Sequence, residues 1–191
     1  FLPYTPIHHV LMRSVEPPAI VLTSGNVSEE PIVFRDGEAF EKFKDMADYI
    51  LTYNRRIVNF AVDSVGFVQV GSLRLVRRSR GFVPEPVEVE PKVDGVLAMV
   101  ADLNNTFALA KKGRVFMSQY MGDLENMLIR KRYLEAIRSM RRLLNLEYRR
   151  IAHDLHPAYY STQIGVSLDG EKTGVQHHYA HVLSAMAENS I

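Results

Sequence analysis

Cysteine is absent from all 191 residues. That excludes disulfides, a cysteine nucleophile and a thiolate zinc site within them, and it suits a reducing compartment. Long apolar runs are also missing; none approaches the length of a membrane-spanning helix. No secretory signal pattern is visible. Nor is there a surplus of either charge: 23 Lys and Arg stand against 22 Asp and Glu, a formal net charge of +1. The overall charge thus makes no case for a nucleic-acid or membrane partner. Internal repeats and low-complexity stretches are not seen. What is there is 47% hydrophobic and 24% charged, enough for a real core in one ordinary domain or two small ones. The chain opens on Phe1 and "FLPYTP", with no polar leader and no helix-start signal, which predicts a piece of something longer.

The apolar patterning predicts alternating strands and helices. Ala19 to Thr23, after two prolines, reads as a buried strand running into a small-residue loop. "DGEAFEKFKDMADYIL" reads as a helix with Asp36 as N-cap and Ala39, Phe40, Phe43, Met46, Ala47 and Ile50 on one face. "SVGFVQVGSLRLVRR" reads as a hairpin turning at Gly71-Ser72. Prolines 84, 86 and 91 mark a stiff linker, placed at 89–95. Beyond it, "GVLAMVADL" reads as a strand, and "TFALAKKGRVFMSQYM" as a hairpin folding at Lys112-Gly113. "DLENMLIRKRYLEAIRSMRRLLNL" is the strongest helix, with Leu124, Met127, Leu128, Leu134, Ile137, Met140 and Leu144 at helical spacing. "RRIAHDL" reads as a short strand and "VQHHYAHVLSAMAEN" as a final helix. Both halves are α/β in pattern.

Several clusters carry chemistry, each beside a plainer reading. Thr23-Ser24-Gly25-Asn26 follows a strand, where hydroxyl and amide side chains suit a phosphate or carboxylate; the plainer reading is an ordinary turn. "RRSRG", with Arg77, Arg78 and Arg80, fits a phosphate clamp or a charge-protected edge strand. Asp63 fits a metal, a ribose or a turn. Arg130, Lys131, Arg132, Arg138, Arg141 and Arg142 fit a nucleic-acid contact or, with Glu125, Glu135 and Glu147 balancing them, a solvated helix face. His153, Asp154 and His156 in "AHDLHP" fit a ligand loop or a polar turn.

The histidines of "VQHHYAH" are the sharpest case. At about 100° per residue, His181 falls about 40° from His177, on a polar stripe shared with Ser184 and Glu188. Tyr179, Val182, Leu183 and Met186 form the opposite apolar stripe, and His178 lies to the side. An i, i+4 pair of imidazoles presents two nitrogens to one point, as metal-binding helices do. A pair of surface histidines fits equally. Two donors do not complete a zinc or iron site, and Glu188 is the one obvious further donor after residue 181.

Taken in order, "LPYTPIHHVLM", "VLTSGNVSEEPI", "LRLVRRSRGFVPEPV", "NTFALAKKGRVFMSQYMGDLEN", "AHDLHPAYYSTQIG" and "VQHHYAH" resemble the HypF family, carbamoyltransferases of nickel–iron hydrogenase maturation. The resemblance runs over essentially the whole chain. It implies an α/β chain: a partial YrdC-like twisted α/β sheet at 1–88, then the first part of a TsaD-like actin/Hsp70-type α/β domain at 96–191. The first part would bind ATP, with Mg, and form carbamoyl adenylate from carbamoyl phosphate. The second would transfer the carbamoyl group to the C-terminal cysteine of the partner HypE, in the cytoplasm. By the same resemblance Ser24 and Asn26 match the S-x-N motif at the nucleotide and carbamoyl site. Arg55, Asp63, Arg77 and Arg80 belong to that site too, and His177 and His181 match the metal ligands, zinc or iron. No catalytic residue is assigned.

The chain departs from the family at definite points. "YNRRIVNFAVDSV" stands where relatives read roughly "HNRPIxNRxDDSV", so Phe60 and Val62 replace polar residues. "DLNNTF" stands for "ELKNTF", with Asn104 in place of lysine. The family's early lysine motif, acylphosphatase-like region and cysteine-rich zinc-finger region are not within these residues. The expectation is therefore a fragment inactive by itself. Two other readings remain: a YrdC-type threonylcarbamoyl-adenylate synthase of tRNA modification, and a non-catalytic RNA-binding module.

Overall fold

The computed structural model describes residues 3–15, 19–28, 30–90, 93–189 and 191. Pro17, Pro18 and Pro91, expected at a strand start and in the linker, lie outside these. The chain divides into two compact units, residues 1–33 and 34–191.

Among its described residues the first unit holds one helix, α1 (Pro6–Val15). The Thr5 Oγ1 accepts the His8 N–H at 3.4 Å, and its carbonyl accepts from His8 and His9. Pro6 follows at the first helical position, where a fixed φ helps and a missing N–H is harmless. Thr5-Pro6 is thus a helix start, contrary to the expectation of none. The expected strand Ala19–Thr23 is also corrected: it is exposed, and no described strand pairs with it. An extended segment becomes a strand only when a neighbour takes up its backbone groups.

The second unit opens with α2 (Asp36–Phe43), shorter than expected. Arg35, not Asp36, occupies the N-cap; Asp36 and Glu38 sit in the first turn, where carboxylates favour the helix dipole. Beyond Phe43 the next two residues of the expected apolar face, Met46 and Ala47, are exposed, and a helix turn without a buried face has little to hold it. The hairpin β1 (Val65–Gln69) and β2 (Ser72–Arg77) forms as expected, but Gln69 pairs with Ser72. The turn therefore falls on Val70 and Gly71, at φ 48° and 72°, one residue earlier than expected.

The main sheet comprises β3 (Val87–Glu88), β4 (Val96–Met99), β5 (Phe107–Lys111), β6 (Arg114–Met117), β7 (Arg150–Asp154) and β8 (Glu171–Val175). Its order is β3-β6-β5-β4-β7-β8. β3 to β6 and β4 to β5 to β6 pair antiparallel; β7 and β8 join parallel to β4. The proline-rich stretch thus supplies an edge strand, and Gly113 then exchanges backbone bonds with Val89 and Val93. The β5–β6 turn falls on Lys112 and Gly113, both at positive φ, as the sequence predicts.

One row of side chains crosses four strands: Phe116, Leu109, Leu97 and Ile151 are successive register partners, all buried. Helix α3 (Met127–Leu144) brings Ile129, Tyr133, Ile137 and Met140 to the same core, with Phe107 and Tyr133 edge to face at 5.4 Å. The expected stripe is out of phase at its start. Asn126 caps the helix, accepting from Leu128 and Ile129, so Leu124 precedes it and Met127 is 76% exposed. Arg132, expected on a solvated face, is 3% exposed. It bonds Glu38 at 3.3 Å, with the Phe34 and Phe60 rings 4.9 and 5.4 Å away. Burial lowers its pKa, and the Glu38 carboxylate pulls it back up. The remaining helices are α4 (Tyr160–Ser167) and α5 (His177–Glu188). No described helix is long and apolar enough to cross a membrane.

Glu38→Ala removes the carboxylate facing a buried guanidinium and is expected to cost about 3 kcal/mol, read as a lowered urea midpoint; Glu38→Gln, which keeps a hydrogen-bond acceptor, is expected to cost less.

Candidate functional site

The site forms where β4, β7 and β8 end. Parallel strands place their carboxyl ends side by side, and after β7 and β8 the chain turns into helices at that edge. β7 pairs with β8 so that His153 lies opposite Gly174 and Asp154 opposite Val175. Two residues after Val175, α5 begins with His177. The register alone brings Asp154 beside the first turn of α5.

Asp154 is buried and uses each carboxylate oxygen separately. Oδ1 accepts the His156 N–H at 2.8 Å, and Oδ2 meets His177 Nδ1 at 2.6 Å. Burial pushes the Asp154 carboxyl up, but the His156 N–H and the His177 ring together hold it below its ordinary value. One turn along α5, His181 Nε2 lies 3.1 Å from His177 Nε2, the rings 4.7 Å apart and nearly perpendicular. Tyr159 lies 6.3 Å from His177 and stacks on His156 at 4.4 Å. The expected convergence of His177 and His181 is therefore present, and His178 makes no part of it. The donor chemistry suits zinc or iron: two imidazole nitrogens aimed at one region, one backed by a carboxylate. Among the described residues no group of three or more His, Asp or Glu is arranged to hold a metal. Glu188 lies seven residues past His181, about 10 Å along the axis at 1.5 Å per residue, and does not join the pair.

Helix α4 holds β7 in place from one side. Its first N–H groups, Tyr160 and Ser161, donate to the two Asp102 oxygens at 2.8 and 2.9 Å, so a carboxylate from the β4–β5 connection does the work of an N-cap. Thr162 Oγ1 donates to the Asp154 carbonyl at 3.0 Å. At Gly165 the helix backbone presses on the sheet: a Cβ would lie 3.0 Å from Met99 Sδ and 3.3 Å from His153 Cβ. Asp102 was not singled out from the sequence, where it is one more aspartate in a turn. Asp154 was singled out within "AHDLHP", but as a loop residue and not as the partner of His177.

The other predicted residues are placed as follows. In the first unit, Ser24 Oγ donates to Asn26 Oδ1 at 2.5 Å, and Asn26 Nδ2 donates to the Val27 and Glu30 carbonyls. The S-x-N loop is thus braced by its own side chains. In the second unit, Arg80 pairs with Asp63 at 3.5 Å and donates to the Ala61 carbonyl. Arg77 lies over the Tyr120 ring at 4.5 Å, and Tyr120 donates to Asn104 Oδ1. All three line a cavity of about 740 Å³. Arg55 is exposed. Asn104, at φ 49°, gives its N–H to Asp123 at 2.7 Å.

The comparisons with known proteins agree with this architecture. Residues 91–188 match the HypF Kae1-like domain family, and residues 1–79 match the Sua5, YciO and YrdC family described as telomere recombination. Carbamoyltransferase HypF of Synechocystis sp. is 37% identical over 191 residues, all of this chain and 25% of the relative. That of Rhizobium leguminosarum is 35% identical over 196 residues, again all of this chain and 26% of the relative. A crystal structure of full-length HypF in the phosphate- and nucleotide-bound form superposes with a TM-score of 0.89 at 42% identity, covering 100% of this chain and 30% of that one. HypF of T. kodakarensis superposes with a TM-score of 0.78 at 42% identity, covering 88% and 23%. The chain thus spans about a quarter of the length of the curated relatives it matches. The fold is a mixed α/β sheet flanked by helices, joined to a partial YrdC-like region. The chain belongs to the HypF family.

Gly165→Ala is expected to destabilise by about 1–3 kcal/mol, because the added methyl overpacks the α4–β7 contact that holds Asp154; a denaturant titration reads this directly.

Proposed function

We propose that this chain is part of an ATP-dependent carbamoyltransferase of hydrogenase maturation. In this reading residues 1–88 are the later part of a YrdC-like domain, 89–95 a linker, and 96–191 the opening of a TsaD-like domain. The first forms carbamoyl adenylate from carbamoyl phosphate and ATP, with Mg accompanying the nucleotide. The second passes the carbamoyl group to the C-terminal cysteine of HypE. What carries the reading is likeness over the whole chain to relatives named carbamoyltransferases.

The residues suit these roles on chemical grounds. Building a mixed anhydride requires donors that neutralise phosphate charge, and in this reading Arg55, Arg77 and Arg80 supply it. In this reading Ser24 and Asn26 line the nucleotide and carbamoyl site from a loop whose hydroxyl and amide donors brace it internally. Asp63 orients Arg80. His177 and His181 would hold zinc or iron through their Nε2 atoms, and such an ion supplies Lewis acidity toward the acyl group when bound.

The test is pyrophosphate exchange into ATP by the full-length protein. Exchange is expected with carbamoyl phosphate, falling at least 10-fold in Arg77→Ala and Arg80→Ala. Exchange supported by threonine plus bicarbonate instead would overturn the reading in favour of tRNA modification, which the match of residues 1–79 to the Sua5 and YrdC family keeps as the second candidate. The 191 residues alone are expected to give no exchange. Metal content of the full-length protein is expected to drop in His177→Ala and His181→Ala; unchanged occupancy in both would remove the pair from the site.

A further inference from the structure

We propose that Asp154 is a positioning residue for the His177–His181 pair, setting which ring nitrogen of His177 is left open to a cation. The inference rests on the reading of that pair as a metal site. It starts from hydrogen-bond capacity. A carboxylate only accepts, so His177 Nδ1, 2.6 Å from Asp154 Oδ2, carries the ring hydrogen. In the neutral ring His177 Nε2 then bears the lone pair, and it is this atom that lies 3.1 Å from His181 Nε2. Both open nitrogens face one region only when His177 holds this tautomer.

Asp154 is itself held on every side. Its side chain is 8% exposed. Oδ1 is taken by the His156 N–H, its carbonyl by Thr162 Oγ1, and its neighbour His153 lies under Gly165 of α4. A ring hydrogen-bonded to a carboxylate held by its own turn and by α4 loses its freedom to flip or to swap tautomers. The plainer role, capping the 154–156 turn, uses only Oδ1 and leaves the Oδ2 contact to His177 unexplained.

The two roles separate in Asp154→Asn. With Oδ1 still accepting from His156, the new NH₂ faces His177 Nδ1 and donates to it. The ring hydrogen must then move to Nε2 and cover the lone pair. In the full-length protein, Asp154→Asn is expected to bind zinc 10–100-fold more weakly in chelator competition, with the unfolding midpoint of the metal-free protein little changed. Wild-type zinc affinity in Asp154→Asn, with binding still lost in His177→Ala, would overturn the positioning role and leave the metal reading standing. Zinc retained in both histidine variants would overturn the metal reading itself. If Asp154→Asn fails to fold, nitrogen NMR of histidine-labelled wild-type protein decides: a hydrogen on His177 Nδ1 supports the role, and one on Nε2 overturns it.

Discussion

The rest of the second unit depends on one row of side chains. Phe116, Leu109, Leu97 and Ile151 stand opposite one another across four strands, on the face that α3 covers. Each such side chain contributes about 1.5–3 kcal/mol when fully buried. The row also fixes register, because a slip of one residue would turn every member to the other face. Ile151 is the link to function. Its place opposite Leu97 sets where β7 ends, and so where Asp154 stands relative to β8 and α5.

The edge that β7 reaches is organised by carboxylates. Asp102 takes the first two N–H groups of α4, and Asp154 takes His156 and His177. Both are buried acceptors satisfied by donors from elements that arrive later in the chain. Asp102 therefore ties the β4–β5 connection to the start of α4, and Asp154 ties the end of β7 to the start of α5. Arg132 likewise binds α2 to α3, with Glu38 and two aromatic rings accommodating a buried charge.

Much of the second unit was legible. The β5–β6 turn at Lys112-Gly113, the long helix, β7 and the final helix all follow from local rules of turn chemistry and apolar spacing. The His177–His181 geometry was legible for the same reason: i, i+4 spacing on a helix is a local property. The misreadings were of another kind. Ala19–Thr23 has the composition of a strand but no described partner, Met46 is exposed, and Arg132 is buried by residues about a hundred positions away. The hairpin turn moved by one residue because ladder pairing, not the glycine alone, decides which residues stay in the strands.

The sequence by itself determined the periodicities, the β5–β6 turn and two imidazoles on one helical stripe, since each depends on residues within a few positions of one another. Tertiary structure alone decided that Asp154 would be the residue behind His177, that Asp102 would cap α4, and that Arg132 would be buried. Those contacts join residues 23, 58 and 94 positions apart. They are set by strand order and register, which no local window of the sequence contains.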